Sequence, residues 1–192
     1  MTVLAEERLY TPDDLVNLPG AEHCELVDGR LVEKHVGAES DWIGLRLGTL
    51  LSNHVFSNNS GWVFGPETGY LCFGSNRIRV RKPDVSFISR ARLSRIPKGH
   101  IQVVPDLAVE VVSPNDLFSE VQVKVEEYLE AGVQVVWVIE PDTRTIVEFC
   151  LTGETHRLRA SDTLTGGTAL PGFRCSVAEL FPPLEATKTD EE

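Results

Sequence analysis

The chain has 192 residues, 42% hydrophobic and 24% charged, with 15 Gly and 11 Pro, which excludes collagen, coiled coil and wholesale disorder. That length suits a single domain over residues 1–184 with a frayed acidic tail at 185–192, able to bury a core without staples. No apolar run approaches the ~18 residues of a membrane span, and Glu6 and Glu7 interrupt any signal peptide, so the expectation is a soluble, cytoplasmic protein with no membrane partner.

Thr11-Pro12-Asp13-Asp14 reads as the start of a short helix, with Thr11 as cap and acids near its positive end. Asp28-Gly29 between Cys24–Val27 and Arg30–Glu33 predicts a hairpin, because both residues tolerate positive φ. Ser40 reads as the cap of a helix to about Ser52, with Ile43, Leu47, Leu50, Leu51 and Val55 along one face. Strands are expected at Trp62–Phe64 and Tyr70–Phe73, split by Gly65-Pro66, and in an extended run from Arg77 to Ile88.

Eighteen basic against 29 acidic residues give a net charge of −11, which by itself disfavours a polyanionic partner. The bases are nonetheless segregated. Arg77, Arg79, Arg81, Lys82, Arg90, Arg92, Arg95 and Lys98 lie within 22 residues whose only acid is Asp84, so this segment carries +7 and the remainder −18. It is a candidate nucleic-acid strip; the plain alternative is a solvated basic surface.

Leu107 to Val112 is almost continuously apolar, the mark of a strand covered on both faces. Ser113-Pro114-Asn115-Asp116 breaks it, and a helix follows to Ala131, ended by Gly132, with Val121, Val125, Tyr128 and Leu129 as its buried stripe. Val133–Ile139 is the next strand. Strand, helix, strand over so short a span implies parallel pairing with a right-handed crossover. Pro141-Asp142-Thr143 turns the chain into a strand at Thr145–Cys150, with another around His156–Arg159. Cys24, Cys72, Cys150 and Cys175 form no C-x-x-C pair, so they read as reduced structural thiols rather than a zinc centre.

Three residues invite chemistry. Glu110 sits inside the most apolar strand, where an unpaired carboxylate costs several kcal/mol and calls for a cation, a proton or an open cleft. Asp84 follows Pro83 in an extended run, and Lys124 flanks the buried stripe of the next helix. Two carboxylates converging with an ammonium would seat a hard divalent ion, the lysine positioning or helping to deprotonate a water. Each also has a plain reading: a salt-bridged core acid, a capping acid, and a helix lysine paired with Glu120.

Lys82-Pro83-Asp84-Val85, Pro105 through Asp116, Lys124, Tyr128 through Val133, and Val136-Trp137-Val138-Ile139 together resemble the Uma-type restriction endonucleases of the PD-(D/E)XK superfamily. Glu25 to Gly29 and Leu170 to Phe173 are similar to that family's early hairpin and C-terminal signature, so the likeness covers roughly residues 10–182. It implies an α/β restriction-endonuclease-like core, a mixed central sheet flanked by helices, with an N-terminal helix and hairpin. It further implies that Asp84 and Glu110, with the Val111 carbonyl, bind Mg²⁺ or Mn²⁺, and that Glu25 is an accessory acid. The superfamily pattern places lysine two residues after the glutamate, where this chain has Val112; the resemblance moves that role to Lys124.

The implied activity is hydrolysis of DNA phosphodiester bonds by a homodimer, with the Arg77–Lys98 segment on the DNA backbone. The rival is a catalytically inert nuclease fold that binds nucleic acid or protein, favoured by the charge of −11 and the absence of a helix-turn-helix or zinc module. A small-molecule enzyme ranks last, because there is no Gly-rich phosphate loop and no nucleophile elbow.

Overall fold

The structure is a computed structural model that describes residues 8–21, 23–35, 37–74 and 78–183. Arg77 and the tail 185–192 lie outside the described residues. Helix α1 (Pro12–Asn17) is capped reciprocally by Thr11 and Asp14. Strands β1 (Cys24–Val27) and β2 (Arg30–Glu33) form the expected hairpin; Asp28 and Gly29 adopt φ of 50° and 81°, as the tight turn requires.

Helix α2 spans Ala38–Asn58, longer at both ends than the sequence reading. Ser40 is not its cap: the Ser40 hydroxyl turns back to Gly37, which opens the helix, and Asn59 in the left-handed region closes it. Strand β3 (Gly61–Phe64) follows. Tyr70–Phe73 is not a strand; Tyr70 makes isolated bridges to Arg81 and Ile101. Burial holds this segment: Phe73 stacks at 4.7 Å on Tyr128, and the Tyr70 hydroxyl meets Ser86 at 2.7 Å.

Strands β4 (Val85–Ser89), β5 (Leu107–Val111), β6 (Val135–Glu140), β7 (Thr145–Cys150) and β8 (Thr155–Leu158) complete a six-stranded sheet in the order β3-β4-β5-β6-β7-β8. Only β5 and β6 pair in parallel, joined by α3 (Phe118–Glu130), so the sheet is mixed as expected. After the sheet come a small antiparallel pair, β9 (Thr163–Thr165) with β10 (Arg174–Ser176), and a 3₁₀ turn, Val177–Leu180.

Alternation along β5 decides what each face buries. Leu107, Val109 and Val111 pack with Ile43, Leu47 and Leu51 of α2. Ala108 instead joins Val121, Val125 and Tyr128 of α3. Glu110 shares the Ala108 parity and therefore faces α3. No helix among the described residues is long and apolar enough to cross a membrane.

Candidate active site

Glu110 lies at the carboxyl end of β5, where ligand sites of open α/β sheets cluster. It is 5% exposed. Lys124 and Tyr128, one turn apart on α3, both reach it: Lys124 Nζ donates to Oε2 at 2.9 Å and the Tyr128 hydroxyl to Oε1 at 2.6 Å. Asp84 stands immediately before β4, its N–H bonded to the Val109 carbonyl at 2.9 Å. Its Oδ2 accepts the Val111 N–H at 2.8 Å, and its Oδ1 accepts Lys34 Nζ at 2.9 Å.

Glu25 comes from β1 and is buried. Its Oε1 accepts the Lys82 N–H at 2.8 Å; its Oε2 lies 2.9 Å from Arg81 Nη1 and 3.5 Å from Lys124 Nζ. Lys124 thus bridges Glu25 and Glu110. Asp84, Glu110, Lys124 and Glu25, spread over 100 positions of sequence, line one cleft of about 370 Å³. Val111 lines it too. His35, Asp84 and Val111 also line a second cleft of about 580 Å³ on the α2 side.

Electrostatics follow from this packing. Burial pushes the Glu110 carboxyl up; Lys124 opposes that, and the Asp84 carboxylate adds to it. Burial would raise Glu25 as well, but Lys124, Arg81 and Lys34 together hold it below the usual carboxylate range. Lys124 and Lys34 are both raised: burial works against their charge, and the carboxylates of Glu110 and of Asp84, respectively, lead the groups that outweigh it. Lys124 accordingly stays an ammonium here, suited to orienting a water or offsetting negative charge rather than to accepting a proton.

The donor set fits a hard divalent cation. Each of the two carboxylates has one oxygen fixed by a neutral donor (Val111 N–H on Asp84, Tyr128 O–H on Glu110) and the other on an ammonium that a metal can replace. Carboxylate and carbonyl oxygens are the ligands such ions prefer.

Two contributors escaped the sequence reading. Lys34 lies two residues beyond Val32, which pairs with Glu25, so strand alternation already put it on the Glu25 face. Tyr128 falls in the apolar stripe, yet a buried phenol needs a hydrogen-bond partner, and Glu110 supplies it.

The described bases of the segment do not share one environment. Arg79 binds Glu127 and Asp28, and Arg81 binds Glu127 and Glu25. Lys82 is buried, its ammonium 3.7 Å from Glu67. These three face acids because they lie where the chain pairs with the hairpin through Leu26 and Val80. Arg90 stacks on Trp62 at 4.5 Å, and Arg92 binds Asp106 at 2.9 Å. Arg95 and Lys98 are exposed. These last four lie beyond the far end of β4, whose five residues span about 17 Å and separate them along the chain from Asp84.

Among solved structures, the chain is similar to a crystal structure described as a putative nuclease belonging to DUF820 from Anabaena variabilis ATCC 29413. The match has a TM-score of 0.75 and 22% identity, and covers 89% of this chain and 97% of that one. At that identity it establishes the fold, with its six-stranded mixed sheet and flanking helices. No curated protein matches the chain. The model of the Uma2 family, described as "putative restriction endonuclease", matches residues 12–178, most of the chain and every described residue of the cleft. The chain belongs to the Uma2 family.

Proposed function

We propose that this protein is a divalent-metal-dependent endonuclease that hydrolyses DNA phosphodiester bonds in the cytoplasm, with Asp84, Glu110 and the Val111 carbonyl as ligands of Mg²⁺ or Mn²⁺. One observation supports this most: two carboxylates, one just before β4 and one within β5, share a cleft with an ammonium, Lys124, held 2.9 Å from Glu110. The bound ion would supply a Lewis acid for the phosphate and a lowered pKa for an attacking water.

The chain's own groups have distinct tasks. Hydrolysis adds water across a P–O bond, so negative charge grows on the phosphoryl oxygens as the P–O bond to the sugar breaks. Lys124 orients the water and offsets that charge. Tyr128 and the Val111 N–H fix the two carboxylates, so little reorganisation is needed at the moment of reaction. Lys34 balances Asp84 until the cation replaces it. Glu25 holds Lys124 and Arg81 in place and serves as the accessory acid. Arg90, Arg92, Arg95 and Lys98 meet the DNA backbone beyond β4, and double-strand cleavage requires two such centres, hence a homodimer.

A second reading, an inert nuclease fold that binds without cutting, draws on the same ion pairs: Arg79, Arg81 and Lys82 are already matched by internal acids, which leaves fewer bases for DNA. A supercoiled-plasmid assay with Mg²⁺ or Mn²⁺ separates the two. Nicking by the wild-type protein that falls about 10³-fold in Asp84→Ala and in Glu110→Ala, with circular dichroism unchanged, supports the nuclease. Equal activity in either variant removes the assigned site, and no nicking by the wild type with either ion favours the inert fold.

A further inference from the structure

Away from the acid cleft, the described residues hold a second group of ligand-type side chains. Glu148, Cys150 and His156 place one donor atom each within 4.8 Å of the others. The sheet itself builds this group. In the β7–β8 pairing Glu148 stands directly opposite His156, and Cys150 lies two residues further along β7, so all three project from one face.

That face is the one turned away from Glu110. Val109, Trp137, Glu148 and His156 form a lateral row across β5, β6, β7 and β8, and Val109 packs on the α2 side. The group is therefore separated from the acid cleft by the thickness of the sheet. A buried donor orients it: Trp137, fully buried, donates its indole N–H to Glu148 Oε2 at 2.9 Å. Oε1 is left on the side of Cys150 Sγ, 3.9 Å away. An outer hydrogen bond of this kind holds a metal-binding carboxylate in position. A fourth donor stands nearby, the Glu154 carboxylate, 4.0 Å from His156 Nε2.

We infer that Glu148, Cys150 and His156, completed by Glu154 or a water, form a binding site for a thiolate-accepting divalent ion of the Zn²⁺ type at the outer edge of the sheet. Sulfur, imidazole and carboxylate together suit Zn²⁺ and its neighbours, whereas Mg²⁺ takes oxygen ligands. Its occupancy would tie β8, the exposed last strand, to β7.

Co²⁺ serves as the probe because its spectrum reports its ligands. The full chain, kept reduced with a non-chelating reductant, is titrated with Co²⁺ alone. The expected result is one equivalent that gives tetrahedral d–d absorption with a thiolate-to-cobalt charge-transfer band, displaced by Zn²⁺ and retained in Asp84→Asn. The charge-transfer band is lost in Cys150→Ser, and both features are lost in His156→Ala, whose exposed side chain makes it the safer variant for folding. Co²⁺ bound without the charge-transfer band, a band that survives Cys150→Ser, or one abolished by Asp84→Asn each overturns the site. The Asp84 and Glu110 reading stands or falls separately, on plasmid nicking.

Discussion

The two clefts that meet at Asp84 differ in kind. The cleft on the α3 side sets Glu25, Asp84 and Glu110 against Lys34, Arg81 and Lys124, half of them buried and half partly so, with Glu33, Asp116 and Glu120 also on its wall. The larger cleft on the α2 side contains Asp41 and Asp84 but no lysine or arginine, and small residues of α2, Gly44 and Gly48 among them, floor it. A phosphate finds cations only in the first. The contrast teaches that the −11 of the whole chain says little about where an anion can settle, because burial strengthens local pairs while screening weakens distant ones.

Breaking the charged cleft gives the largest effects. Arg81→Met strips Glu25 and Glu127 of their shared guanidinium, and the loss of one partner from a buried pair costs about 3–5 kcal/mol. Urea unfolding should show a correspondingly lower midpoint; a cost below about 1 kcal/mol would mean that water already solvates these acids.

The two lysines should then part company. Lys124→Met should lower plasmid nicking by about 10²–10³-fold even at saturating Mn²⁺, as expected for a cation that acts on the transition state. Lys34→Met should instead tighten Mn²⁺ binding, because nothing then competes for Asp84 Oδ1. Calorimetric titration against nicking rates separates the two, and identical behaviour of both variants would erase the distinction drawn between them.

Much of this arrangement was legible in the sequence. The Asp28-Gly29 turn, the βαβ unit whose helix stops at Gly132 and the isolated acid in β5 each rest on local chemistry, and local chemistry is what a sequence displays. The inward turn of Arg79, Arg81 and Lys82 was not legible. Their clustering shows in the chain, but the face they occupy depends on pairing Val80 with Leu26, 54 positions away. The β9–β10 pair was missed for a different reason: three residues with a single buried position each give no measurable alternation.

Acid titration probes the same cleft more gently. The folded-state pKa of Glu25 lies below its ordinary 4.5, so between the two values the unfolded chain binds a proton that the folded chain does not. Glu25 therefore contributes stability above pH 4.5 that is lost as the pH falls towards its folded value. In Glu25→Gln that part of the acid slope should vanish, so its unfolding free energy and the wild-type value converge at low pH. An unchanged slope would show that Glu25 is not held ionised by Lys124 and Arg81.

The α2-side cleft should tolerate what the charged one does not. Gly48 lies inside a helix, and a Cβ there would meet Val85 at 3.8 Å, ordinary contact. Helix interiors favour alanine over glycine by about 1 kcal/mol, so Gly48→Ala should raise the urea midpoint with the slope unchanged. Gly61 in β3 makes the control: a Cβ there would fall 2.2 Å from the Ile88 carbonyl oxygen, so Gly61→Ala must shift backbone and should destabilise. If Gly48→Ala also destabilises, the space beside α2 is not open, and the two clefts differ less than their linings say.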